Sequence, residues 1–232
     1  MNIFQQRLIA GWTDLPKDPY FASVKLLLNG VTLDDTGPSH ITGTAHGAAS
    51  LASPGKFGST TLRNSTGGSG SYVSYPITFT GGLNQDRTIE FFYQTLGGIT
   101  NPTLWTASGA VYNPGCQAQT TPSPYFPIWN YRQSAQIAVA TGTLQSAWSF
   151  VVLQQRRSTF EVSAYVDGIR VSNYADSATW EAINSVTALN IIGPITGAGL
   201  NGGMQCFRWT EGVARYSGAT CPVPTTFFPE LG

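Results

Sequence analysis

The stretch FEVSAYVDGIRVSN, residues 160 to 173, leaves little freedom in how it folds. Side chains alternate across an extended chain, so Phe160, Val162, Ala164 and Val166 share one face while Glu161, Ser163 and Tyr165 share the other. Asp167-Gly168 is the residue pair that a two-residue hairpin turn demands, and Ile169 and Val171 resume the alternation. With WSFVVLQQ (148–155) four residues before it, the region 148 to 173 reads as three antiparallel strands. Two further stretches repeat the signal. VKLLL, from Val24 to Leu28, stops at Asn29-Gly30, a hairpin-type dipeptide. Ile89, Phe91 and Tyr93 alternate with Glu90, Phe92 and Gln94, as in a strand lying between two layers.

Helix signals are scarce. SATWEAINSV, 177 to 186, has a cap at Ser177 but length for only one or two turns. Short strands with turn residues roughly every 8 to 12 positions predict an all-β, antiparallel β-sandwich of the jelly-roll kind. Charged residues are only 10% of the chain, against about 25% in an average domain, so the 26 glycines and 14 prolines do the work of charged loops. A chain of 232 residues is long enough to bury one core without staples. Residues 1 to 17 read as a short N-terminal arm, and 18 to 232 as a single domain. The arm carries Ile3, Phe4, Leu8, Ile9 and Trp12, an apolar set suited to docking on a partner. Residues 96 to 147, with Pro102, Pro114, Pro122, Pro124 and Pro127, read as a long irregular insertion.

Twelve basic and twelve acidic residues cancel, leaving no basic field for nucleic acid. No apolar run approaches the roughly 20 residues of a membrane span, so membrane insertion is not expected. The N-terminal stretch MNIFQQRLIAGW lacks a secretory pattern. Cys116, Cys206 and Cys221 are too few and too scattered for a disulfide framework and are expected as free thiols in a reducing cytoplasm.

Several stretches together resemble the laminin-G-like, concanavalin-A-like lectin jelly rolls of phage virion proteins. They are DPYF (18–21), KFGSTTL (56–62) followed by SYVSYP, RTIEFFYQT (87–95), the pair WSFVVLQQ and AYVDGIRV, and the closing GVARYSGATCPVPTTFFP (212–229). The resemblance covers roughly residues 18 to 230. It implies that the C-terminal segment returns across the sandwich beside the first strand, making Trp209, Val213, Tyr216, Phe227 and Phe228 core or lid residues. It also implies a virion protein assembled in the host cytoplasm, with other virion proteins as partners and homo-oligomers on the particle. Two roles fit: a capsid decoration or head appendage held by the arm, or a tail-fibre or baseplate module that recognises a host surface glycan. A chain of this length without a long shaft favours the first. One departure stands out: Gly203-Met204-Gln205-Cys206-Phe207-Arg208 has no carboxylate where many relatives carry an acidic pair.

The same jelly roll also hosts glycoside hydrolases, which need two carboxylates about 5 to 10 Å apart. Glu90 and Glu161 each stand alone on a strand, so no catalytic pair is expected. Asp34-Asp35 precede Thr36-Gly37-Pro38 and suit a turn; with Asp86 they are weak Ca²⁺ candidates, but they form no diagnostic loop and no cofactor is expected. His40 and His46 lack a third metal ligand nearby in sequence. Aromatic side chains among prolines and glycines supply the remaining binding chemistry: Trp105, Tyr112, Tyr125, Phe126, Trp129 and Tyr131 are the candidates for stacking on sugar rings or on a partner. The alternative for Trp105 and Trp129 is burial on strands.

Overall fold

The computed structural model describes residues 17–78, 85–97, 102–108, 115–119, 126–132, 135–138, 147–175 and 187–231. Its strands are β1 (Val24–Leu28), β2 (Thr44–His46), β3 (Ala49–Ala52), β4 (Thr61–Asn64), β5 (Tyr72–Tyr75), β6 (Arg87–Thr95), β7 (Thr103–Ser108), β8 (Gly115–Gln119), β9 (Phe126–Arg132), β10 (Ala135–Ala138), β11 (Ser149–Arg156), β12 (Glu161–Val166), β13 (Ile169–Ala175), β14 (Ala188–Ile191) and β15 (Gly202–Glu211). They form two sheets. The large sheet runs β13-β12-β11-β6-β15-β4-β3, with β1 also on β15; the second runs β10-β9-β8-β7-β14-β5-β2. Pairing is antiparallel throughout, and the chain passes repeatedly from one sheet to the other, giving the jelly-roll sandwich expected from the sequence.

Alternation decides what lies between the sheets. Ile89, Phe91 and Tyr93 of β6, Val151 and Leu153 of β11, and Val162 and Ala164 of β12 enter the core, where they meet Val73, Tyr75, Trp105, Leu189 and Ile191 of the second sheet. Each such large side chain contributes about 1.5–3 kcal/mol on burial. That is ample without cross-links, and all three cysteines are free and buried. The Asp167-Gly168 turn has φ of +48° and +85°, the left-handed pair that a tight hairpin needs and that glycine tolerates best.

Two features differ from the sequence reading, and a third, on β15, was not part of it. The stretch 96 to 147 is not an irregular insertion: it carries β7 to β10, a meander that forms more than half of the second sheet. Asn29-Gly30 turns the chain, with Gly30 at φ +79°, but does not close a hairpin, because β1 pairs with β15. On β15 the alternation slips at Cys206, whose φ is +53°; the register shifts there, so Met204 and Phe207, three apart, both reach the core. The segment 177–186 lies outside the described residues. No helix among the described residues is long and apolar enough to cross a membrane.

Candidate functional site

The two outer faces of the sandwich differ. The large sheet turns a second apolar set outward, including Leu27, Phe92, Phe150, Val152, Tyr165 and Cys206, and the C-terminal segment lies over it with Tyr216, Cys221, Phe227 and Phe228. Backbone bonds hold that cover at several points along its length. Gln154 Nε2 and Arg156 Nη2 both donate to the Tyr216 carbonyl at 2.6 Å, and the Tyr216 amide donates back to Gln154 Oε1 at 2.8 Å. Tyr165 Oη donates to the Gly218 carbonyl, and the Cys221 amide donates to that of Gly168. Asn29 holds Phe228 by both its amide and its carbonyl, and the Asp18 amide closes on Leu231.

Under this cover lies an ionic cluster. Arg208 donates from Nε to Glu90 Oε2 at 2.7 Å and from Nη1 to Asp18 Oδ2 at 2.9 Å, and its guanidinium sits 3.8 Å from the Phe228 ring centroid. Arg215 grips both Asp18 oxygens at 2.9 Å, and Tyr216 Oη donates to Glu90 Oε1 at 2.5 Å. Burial pushes the Tyr216 hydroxyl well above its ordinary range, and the Glu90 charge pushes it further, so it stays a donor. For Arg208 burial opposes the charge, but Glu90 and Asp18 outweigh it and hold the guanidinium above its usual value. Two acids and two bases answer one another, and Glu90 is fully buried. This cluster fastens the fold.

The second sheet is built otherwise. Val73, Tyr75, Leu189, Ile191 and Trp105 point into the core, so their strand neighbours point out. In register across four strands those neighbours are Thr44 of β2, Ser74 of β5, Asn190 of β14 and Thr106 of β7. The register continues through Gly115 of β8 to Asn130 of β9 and Gln136 of β10. Thr44, Ser74, Asn190 and Thr106 make a line of hydroxyls and one amide with no formal charge. Thr44 is exposed, Ser74 and Thr106 are half-buried and Asn190 is buried. Beside it, the rings of His46 and Tyr72 stack at 4.5 Å between centroids, tilted 21°. Neutral hydrogen-bonding groups beside an aromatic platform can hold a polyhydroxylated ring by edge and face together.

The candidates read from sequence scatter. Trp105 is sealed in the core, its ring edge-on to Trp209 at 5.5 Å, so the contact role expected for it gives way to a core role. Trp129 occupies the β9 position paired with Cys116, while Phe126 and Tyr131 lie on the same strand. Tyr112, Tyr125 and the arm residues Ile3, Phe4, Leu8, Ile9 and Trp12 lie outside the described residues. Asp35 is a turn anchor: its Oδ1 accepts from the Leu27 and Gly37 amides at 2.7 and 2.8 Å, and its Oδ2 from that of Ile41 at 3.4 Å, which leaves little of the carboxylate for a cation. Asp34 borders a 340 Å³ hollow with Glu230. Glu161 is bridged by Arg156 and Arg170, both at 3.3 Å. Among the described residues no group of three or more metal-ligating side chains gathers. Ser74, Asn190 and Thr106 escaped the sequence reading, because only the sheet order brings them together.

No family model and no curated protein matches the chain. Solved structures do. Domain 4 of AbnA, a GH43 extracellular arabinanase from Geobacillus stearothermophilus in complex with arabinotriose, superposes with a TM-score of 0.61 at 12% identity, over 82% of this chain and 93% of that domain. The binding domain of botulinum neurotoxin serotype D gives 0.62 at 11% identity, over 83% of this chain and 49% of its own. A structure of botulinum neurotoxin type C, whose cell entry depends on interaction with two ganglioside molecules, gives 0.56 at 16% identity, over 82% and 48%. The chain thus spans about half the length of the neurotoxin structures. At these identities the likeness is one of fold: a jelly-roll β-sandwich.

Proposed function

We propose that this chain is a non-catalytic carbohydrate-binding module whose ligand lies on the outer face of the second sheet. The observation that carries the reading is the asymmetry between the two faces. One is closed by the chain's own C-terminal segment over a fully paired ionic cluster; the other presents an uncharged row of hydroxyls and one amide beside the stacked His46 and Tyr72. The carbohydrate and ganglioside named with the similar structures support the same class of ligand. Neither sequence-stranded acid supports hydrolysis: Glu90 is locked to Arg208 and Tyr216, and Glu161 to two arginines.

The test is a glycan array probed with the wild-type domain and with a His46→Ala/Tyr72→Ala variant. Wild type is expected to score on neutral glycans. The variant is expected to lose at least about tenfold in affinity, in line with about 1–3 kcal/mol for stacking lost from a ring face, and to unfold at an unchanged temperature. An array blank for wild type counts against the reading.

The biological setting proposed is a phage virion, on the motif resemblance alone, with the module as a head decoration or a tail receptor-binding part. Immunogold labelling of purified particles separates them: gold over the head marks decoration, gold at the tail tip marks reception, and unlabelled particles dismiss the virion setting.

A further inference from the structure

The middle of the polar row holds a side chain that packing alone does not explain. Asn190 sits between Leu189 and Ile191, both directed into the core, so its carboxamide leaves β14 on the outer face. It is 1% exposed, and neither Nδ2 nor Oδ1 has a hydrogen-bond partner. Buried polar groups are almost always paired, and one left alone calls for an explanation. Tyr75 Oη, Trp105 Nε1 and Gln155 Oε1 are also buried without a partner, but each is a single atom, whereas Asn190 has both polar atoms of its side chain unmet; beneath the C-terminal segment Glu90, Gln154 and Asp18 are answered by named donors or acceptors. A valine on β14 would fill a strand position with no polar atom to satisfy. A buried carboxamide unmet at both ends, at a strand position that an apolar residue would fill, is a mark of a site.

Resting on the carbohydrate-binding reading above, the geometry points to Asn190 as the residue that reads the sugar, by holding two adjacent hydroxyls of one ring. A carboxamide offers an acceptor and a donor side by side in one plane. Oδ1 accepts from one hydroxyl of a vicinal diol while Nδ2 donates to its neighbour. Ser74 and Thr106, its register partners on either side, supply hydroxyls for the flanking positions of the ligand. The ligand class is therefore a neutral oligosaccharide with free vicinal hydroxyls. A charged sugar gains nothing here, since Thr44, Ser74, Asn190 and Thr106 carry no charge. The amide is shielded from water in the free protein, so binding includes exposing it. Once made, both hydrogen bonds form without competing solvent, where each counts for more.

Native affinity electrophoresis in gels holding arabinan, dextran or mannan tests this on wild type and on Asn190→Val, with thermal unfolding of both. Each polymer is also used after periodate cleavage and borohydride reduction, which destroys vicinal diols and leaves the polymer neutral and hydroxylated. Wild type is expected to be retarded by at least one intact polymer and by none of the cleaved ones. Asn190→Val is expected to unfold at a higher temperature and to bind at least tenfold more weakly. A lower unfolding temperature for the variant overturns the inference, because it means that the folded protein satisfies the amide. Equal retardation of the variant overturns it too. So does equal retardation of wild type by a diol-cleaved polymer, a result that leaves carbohydrate binding standing and needs no variant to fold. Wild type unretarded in all three intact polymers strikes the carbohydrate-binding reading itself, and the role of Asn190 falls with it.

Discussion

Arg208 is the residue on which most of the buried polar interior depends. It answers Glu90 and Asp18 at once, and its partners come from the domain entry, the middle of β6 and, through Arg215 and Tyr216, the C-terminal segment. Replacing one member of a buried ionic group leaves its partners charged and unanswered, at about 3–5 kcal/mol. Arg208→Met is expected to lose that much in a denaturant titration, and a loss below about 1 kcal/mol would show that the cluster is not buried as described. Asp18 sets the acid limit. Burial alone would raise its carboxyl, but the Arg215 hydrogen bonds, the Tyr20 amide and the charges of Arg215 and Arg208 outweigh burial and hold it below its ordinary value. A carboxyl lowered on folding contributes stability that is whole above its unfolded value of about 3.9 and fades as pH falls below it through the folded one. Asp18→Asn should therefore flatten the decline in stability below about pH 4, and an unchanged decline would assign it to other groups. None of this was visible in sequence. Glu90 read as a lone carboxylate because its partners stand 118 and 126 positions away, and no spacing rule spans such a gap.

At the scale of elements, legibility followed burial pattern. β6, β11 and β12 are buried on both faces over most of their length, as their apolar content suggests, and β12 and β13 are joined by a two-residue turn, so their pairing was readable. β7 to β10 were not, since prolines at 102, 114, 122, 124 and 127 punctuate the stretch and FPIWNYR has no clean alternation. The destination of β1 was hidden too, because its partner Thr210 lies nearly the whole domain away. The place of the C-terminal segment as a lid followed from the motif resemblance rather than from its residues alone. Its removal after Glu211 would uncover Phe92, Phe150, Val152 and Tyr165 and leave Glu90 without Tyr216. The truncated domain is expected to bind a hydrophobic dye and to lose its cooperative unfolding transition. A truncated domain that melts sharply at the parent temperature would mean that the segment is an appendage.

For the whole molecule, the low charge content acquires a meaning that composition alone could not give. The few charges described under the C-terminal segment are spent on fastening it, while the outer row of the second sheet carries hydroxyls, an amide and a stacked ring pair. Which face the C-terminal segment closes depends on the path of the last twenty residues, and that path is a property of the folded sandwich. Sequence therefore reached the jelly roll but placed the expected contacts on aromatic residues, one of which, Trp105, is core. The most direct measurement is amide chemical-shift mapping of the domain with the oligosaccharide that scores highest on the array. Binding to the outer face of the second sheet should shift Thr44, His46, Tyr72, Ser74, Thr106 and Asn190 and leave residues 212 to 231 unmoved. Shifts confined to the C-terminal segment, or to the hollow beside Asp34 and Glu230, would place the ligand elsewhere and contradict the assignment of this face.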